Sequence, residues 1–143
     1  MSDSGLSSRS WPRVDPCHDG RLELSFDAPL NKRDRVNWLL VRDWLVSEWH
    51  ATFRTAKDFP TFEWLVELDV RDGTRSVPLL LLWADFPDEL LLRSQTPEGN
   101  DAVRRIADRL SQSRPDLGTL AHMDRAAWTE WVVALGSHDF RSR

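Results

Sequence analysis

The stretch TFEWLVELDVRDGTRSVPLLLLW, residues 61–83, decides the fold of this chain. From Thr61 to Arg71, Phe62, Trp64, Val66, Leu68 and Val70 alternate with Glu63, Leu65, Glu67, Asp69 and Arg71. That period of two is the mark of a strand with one buried face. Asp72-Gly73 follows, a pair suited to a two-residue type I′ hairpin, whose central positions both need positive φ. Such a loop sets Arg71 opposite Thr74. It then pairs Leu68 with Val77, Val66 with Leu79, Trp64 with Leu81 and Phe62 with Trp83. The apolar faces coincide along the whole hairpin, and a slip of one residue destroys the match. On the reverse face, Glu63, Leu65, Glu67 and Asp69 oppose Leu82, Leu80, Pro78 and Ser76.

Outward from the hairpin, Asp85 to Asp88 reads as a turn through Pro87, and Glu89 to Gln95 as a third strand. Thr96-Pro97-Glu98 carries a capping hydroxyl, proline at the first helical position and early negative charge. The helix it opens has an apolar stripe of Ala102, Val103, Ile106, Ala107 and Leu110. A loop through Pro115 and Gly118 leads to a last helix, about Asp124 to Leu135, with a Trp128, Trp131, Val132 and Leu135 stripe and Gly136 as terminator.

Before the hairpin, Leu22, Leu24 and Phe26 alternate with polar residues in a half-buried strand that Pro29 ends. Asn31 to about Lys57 reads as one long helix with two apolar faces. The wide face gathers Trp38, Leu39, Val41, Leu45, Val46, Trp49 and Phe53; the narrow one holds Leu40, Trp44 and Ala51. The expected fold class is therefore α+β, in the order β-α-β-β-β-α-α. It is an antiparallel sheet with one long helix packed across a face and two C-terminal helices. Residues 1–20 read as a flexible lead segment, 21–136 as a single α+β domain and 137–143 as a C-terminal tail. The first half of the order resembles the cystatin-like arrangement, in which a sheet wraps a single long helix. The α-β-β-β-α core resembles double-stranded-RNA-binding domains and the small acidic secretion chaperones. Against the RNA-binding arrangement the basic surface is missing, and against the chaperones the strand pair after the second helix.

Composition narrows the function classes. A length of 143 residues and 41% hydrophobic content suit one soluble domain. A net charge of −4 argues against nucleic acid and against anionic membrane as partners. Residues 31–57 carry +3 and residues 58–101 carry −7, a division that suits mutual pairing inside one fold. No apolar run is long enough to span a membrane, the N-terminal stretch lacks the apolar core of a signal peptide, and Cys17 has no disulfide partner in the chain. These features point to the cytoplasm.

Chemistry is harder to find. The four histidines, His18, His50, His122 and His138, lack the spacing of a helical metal pair, so no metal and no cofactor is expected. Cys17-His18-Asp19 has the parts of a nucleophilic site, but neighbours in sequence rarely converge in space, and it reads as an incidental surface cluster. Glu63, Glu67 and Asp69 place three carboxylates on one strand face, and with His50 they are the candidates to line a pocket.

The eight tryptophans are the strongest signal. Trp38, Trp49, Trp64 and Trp83 lie on the two complementary faces and belong to the core. Trp44 and Leu40, on the narrow stripe, with Trp11 and Trp128, are the candidate interface residues. The expected function is a non-enzymatic protein-interaction module: an adaptor, inhibitor, immunity-type or assembly protein. Its partner is another protein or a second copy in a homodimer. The alternative is a small-ligand-binding protein or enzyme with a cystatin-like cavity between sheet and long helix.

Overall fold

The computed structural model describes residues 11–26, 36–58, 63–85, 88–118 and 125–141. Two strands come first, β1 (Arg13–Pro16) and β2 (Leu22–Ser25), followed by helix α1 (Trp38–Trp49). A four-strand meander follows: β3 (Thr52–Asp58), β4 (Glu63–Asp72), β5 (Arg75–Asp85) and β6 (Asp88–Ser94). Helices α2 (Pro97–Ser113) and α3 (Arg125–Arg141) close the chain's described order. The six strands among the described residues form one antiparallel sheet in the order β1-β2-β6-β5-β4-β3. The α+β class and the antiparallel sheet are those the alternation of apolar residues predicts.

The central hairpin keeps its faces but shifts its register. Leu68 pairs with Leu79, Val66 with Leu81, Trp64 with Trp83 and Asp72 with Arg75. The loop is Gly73-Thr74 rather than Asp72-Gly73. Gly73 has φ +68, whereas Thr74 is not among the residues with positive φ, so only the first loop position needs glycine's freedom. Gly in that place is the pattern of a type II′ turn. The shift is two residues, so each side chain stays on its expected face. It also adds Val70 opposite Val77, both buried, to the apolar ladder.

The helix expected to run from Asn31 to Lys57 is shorter, and its first five residues lie outside those described. Asn37 caps α1, its side-chain oxygen accepting from the Leu39 N–H at 3.1 Å. The helix ends after Trp49, where His50 takes a left-handed conformation (φ 51). The chain then adds β3 to the free side of β4, from Thr52 opposite Asp69 to Asp58 opposite Trp64. Phe53 and Ala56 follow Trp49 at helical spacing, so the apolar period does not separate helix from strand in this stretch. The ladder with β4 decides it, because it gives the backbone polar groups partners while burying Ala56. A further difference lies at the start of the chain. Residues 13–16, expected within a flexible lead, form β1 against β2, in register from Arg13 opposite Ser25 to Pro16 opposite Leu22. Helix α3 also passes Gly136, expected as its terminator, and runs to Arg141.

Helix α2 starts where its cap predicts, the Thr96 hydroxyl oxygen accepting from the Gly99 N–H at 3.0 Å. Its stripe from Ala102 to Leu110 is buried. Gly99 lets this helix press on β6, for a Cβ there would stand 3.0 Å from the Ser94 Cβ. The main core lies between one sheet face and the helices. It is built from Leu24, Phe26, Val66, Leu68, Leu79, Leu81, Leu90 and Leu92 against Val41, Leu45, Ile106 and Val132. A second, smaller cluster of Leu65, Leu80, Leu82 and Leu91 occupies the other sheet face.

Tryptophan fills the core at the α1–α3 end. Trp128 meets Trp38 edge-on at 5.2 Å and Trp83 edge-on at 5.3 Å between ring centroids. Trp131 stacks on Trp38 at 5.3 Å and takes Phe53 against it at 5.0 Å. Truncating Trp128, 1% exposed, removes a contact shared by α1, β5 and α3. Trp128→Ala is expected to lower unfolding free energy by about 3–5 kcal/mol in urea titration.

Candidate functional site

The residues singled out by sequence fall into three places, and the structure does not unite them. His50 is exposed at the C-cap of α1. Glu67 and Asp69 stand on β4, on the sheet face away from the helices. Glu67 accepts a hydrogen bond from the Thr55 hydroxyl at 2.6 Å, and Asp69 pairs with Arg54 at 2.8 Å. The bulge in β3 between Phe53 and Thr55 falls at Arg54, beside this pair. The side chains of Glu63 and Trp64 lie outside those described, as do His122 and the His138 side chain. No group of three or more metal-binding side chains occurs among the described residues.

The interface candidates divide. Trp128 is buried in the aromatic cluster. Trp11 is also buried, at 9% exposure, and its indole N–H donates to the Phe26 carbonyl at 2.8 Å. The Arg114 guanidinium lies 5.9 Å from the Trp11 ring centroid. Trp11 thus docks on its own domain. Trp44 and Leu40 remain on the outer side of α1. Trp44 is half-buried and packs against the margin of the core, and Leu40 is 38% exposed. The chain at Leu117 borders this stripe. The Asn37 N–H donates to the Leu117 carbonyl at 2.9 Å, and a Cβ at Gly118 would meet the Leu40 Cδ1 at 3.2 Å.

Between hairpin and helices, the side on which a cystatin-like cavity is the alternative, the buried rings of Trp38, Trp83 and Trp128 pack on one another. A cleft of about 350 Å³ lies elsewhere, at the β1–β2 turn, lined by Pro16, Cys17, His18, Asp19, Arg21, Glu23 and Arg93. It contains the Cys17-His18-Asp19 triplet, which sequence placed on the surface without a pocket. The cleft forms because β1 turns back on β2 at Cys17–Arg21 and because β2 pairs with β6, which draws Arg93 beside Glu23; no local pattern in the sequence records that second pairing.

The cleft's charges are largely spent on each other. The Arg93 Nε donates to Glu23 at 2.8 Å, and the Arg21 Nε donates to Asp19 at 2.7 Å. Burial pushes the Cys17 thiol up, the Glu23 carboxylate adds to this, and Arg93 opposes it. The thiolate, which is the nucleophile, is therefore disfavoured. The Arg21 hydrogen bonds hold the Asp19 carboxyl below the usual carboxylate range.

The chain matches no protein-family model, no curated protein and no solved structure.

Two titrations test the cleft. Cys17 should react with a disulfide reagent at pH 8 more slowly than a free thiol such as glutathione. Glu23→Gln should quicken it, because it removes a carboxylate that raises the thiol pKa and frees Arg93 to lower it. Asp19 should titrate by NMR below an ordinary aspartate, and Arg21→Ala should return it to the ordinary range. The linkage sign follows. Because the folded carboxyl is depressed, its contribution to stability is present above the unfolded pKa and lost as pH falls through the folded one.

Proposed function

We propose that this protein is a non-enzymatic protein-interaction module of the adaptor, inhibitor, immunity or assembly type, and that the outer stripe of α1 is its contact surface. The observation that carries this reading is the pairing of Leu40 with Trp44. On the opposite side of the same helix Trp38, Val41, Leu45 and Trp49 are buried, and Val46, at that side's margin, is 46% exposed. Leu40 is nevertheless 38% exposed, and Trp44 beside it is half-buried. A half-seated tryptophan is held in place by its own domain and still offers a large apolar area. Little ordering entropy is then lost when a partner closes over it.

Three further observations support a binding role over a catalytic one. The rings of Trp38, Trp83 and Trp128 pack on one another between the hairpin and the helices. Glu67 and Asp69 are held by Thr55 and Arg54. In the Cys17 cleft the thiol is shifted away from its reactive form. No helix among the described residues is long and apolar enough to cross a membrane. We place the protein in the cytoplasm, since a chain with a single cysteine draws no intrachain disulfide from an oxidising compartment.

The test compares the parent chain with Trp44→Ala and with Leu40→Glu in affinity purification from the native host. Both variants should retain the parent's circular dichroism, with Trp44→Ala losing about 1 kcal/mol of stability, as a partly buried contact does. Both should lose a partner that the parent retains. A collapse of the melting temperature in Trp44→Ala would place that side chain in the core instead and remove the proposal.

A further inference from the structure

We propose that residues 11–16 are an exchangeable strand: Trp11 and β1 of one copy of this chain fill the seat at Phe26 and Arg114, and the edge of β2, in a second copy. The inference rests on the first hairpin and is independent of the Leu40–Trp44 surface.

Among the described strands, β1 lies at the margin of the sheet and is hydrogen-bonded to β2 alone. Its attachment has three parts. The backbone ladder runs from Arg13 opposite Ser25 to Pro16 opposite Leu22. The Trp11 indole is buried, donates to the Phe26 carbonyl and lies beneath Arg114. Val14, opposite Leu24, is half-buried against the core. Arg13 and Asp15 are exposed and pair with each other at 2.7 Å, so that pair travels with the segment.

Every one of these anchors lies on the far side of the reversal at Cys17–Arg21. A copy of residues 11–16 arriving from another chain therefore remakes the same ladder, the same indole hydrogen bond and the same Val14 contact. The occupant of the seat is set by the seat's present fit to this segment, so a second copy is the partner it suits without any new surface. Only the bonds that close the loop distinguish the two forms. These are the Cys17 N–H to the Arg21 carbonyl at 2.7 Å, the Gly20 N–H to the Cys17 carbonyl at 3.2 Å, and the Asp19–Arg21 contacts. Closing a short loop is favoured in dilute solution; shortening it, or raising the concentration, shifts the balance toward exchange.

Deleting Cys17 to Gly20 leaves Arg21 alone between the paired residues Pro16 and Leu22, one residue fewer than the shortest hairpin loop needs for the reversal. Light scattering should then find a dimer at concentrations where the parent chain is monomeric. Adding Trp11→Ala to the deletion should weaken that dimer at least tenfold, while Leu40→Glu should leave it intact. A folded monomer, or a dimer indifferent to Trp11→Ala, overturns the proposal. A second measurement stands even if the deletion does not fold. Asp15 and Glu23 are directly opposed across β1 and β2. In the full chain, Cys17→Ser with Asp15→Cys and Glu23→Cys is refolded at high concentration and oxidised. Exchange gives a disulfide-linked dimer on a non-reducing gel that is absent when refolding is dilute. Intrachain-linked monomer at every concentration overturns it.

Discussion

The edge-on seat of Trp128 between Trp38 and Trp83 is the contact on which the rest of this structure depends. It joins the last helix to the first helix and to the middle of the sheet through one side chain. Aromatic edges are electropositive and faces electronegative, so perpendicular pairs at about 5 Å gain energy beyond the area they bury. The arrangement has a cost, since the indole nitrogens of Trp38 and Trp128 are buried without hydrogen-bond partners. Edge-to-face geometry offsets part of that cost by directing ring edges at π faces. The Arg42 guanidinium completes the cluster, lying 5.6 Å from the Trp38 centroid and 5.4 Å from that of Trp131. Its charge stays near water while its plane covers the stack.

Electrostatics organise the remaining packing. Helix α2 reaches both the acidic hairpin and α1 through its arginines. Arg105 of α2 holds Asp72 at 2.7 Å, and Arg109 holds Glu48 of α1 at 3.0 Å. These are mostly surface pairs, each worth roughly 0–1 kcal/mol, so they orient elements more than they stabilise them. The first hairpin is tied down differently. The Leu22 N–H donates to the Ser94 hydroxyl at 3.0 Å and to the Asn100 side-chain oxygen at 3.1 Å, and the Asn100 amide donates to the Gly20 carbonyl at 3.1 Å. Together they fix β2 to the start of α2, and so fix the platform on which Trp11 docks. The demand of the core for large aromatic side chains explains why most tryptophans are unavailable to partners. Leu40 and Trp44 stand out because the helix that bears them has already satisfied its inner face.

The α+β class, the antiparallel hairpin and the cap and stripe of α2 follow from local patterns in residues 61–113. Alternation, a glycine turn and Thr96-Pro97 each specify a conformation from a few neighbouring residues. What the pattern left open was decided by contacts far apart in sequence. The hairpin slid by two because alternation is blind to even shifts, and the match of Val70 with Val77 settles the choice. The segment after His50 became a strand because β4 offered it an unpaired edge, which no period in residues 50–58 records. Cys17, Glu23 and Arg93 share a cleft because β2 joins β6, and Trp11 is buried because Phe26 and Arg114 come together beside it. Sequence by itself determined which side chains seek burial and with what local geometry. Tertiary structure alone decided which of them find it, because backbone hydrogen bonds and apolar area are satisfied only between elements that the chain brings together over long separations.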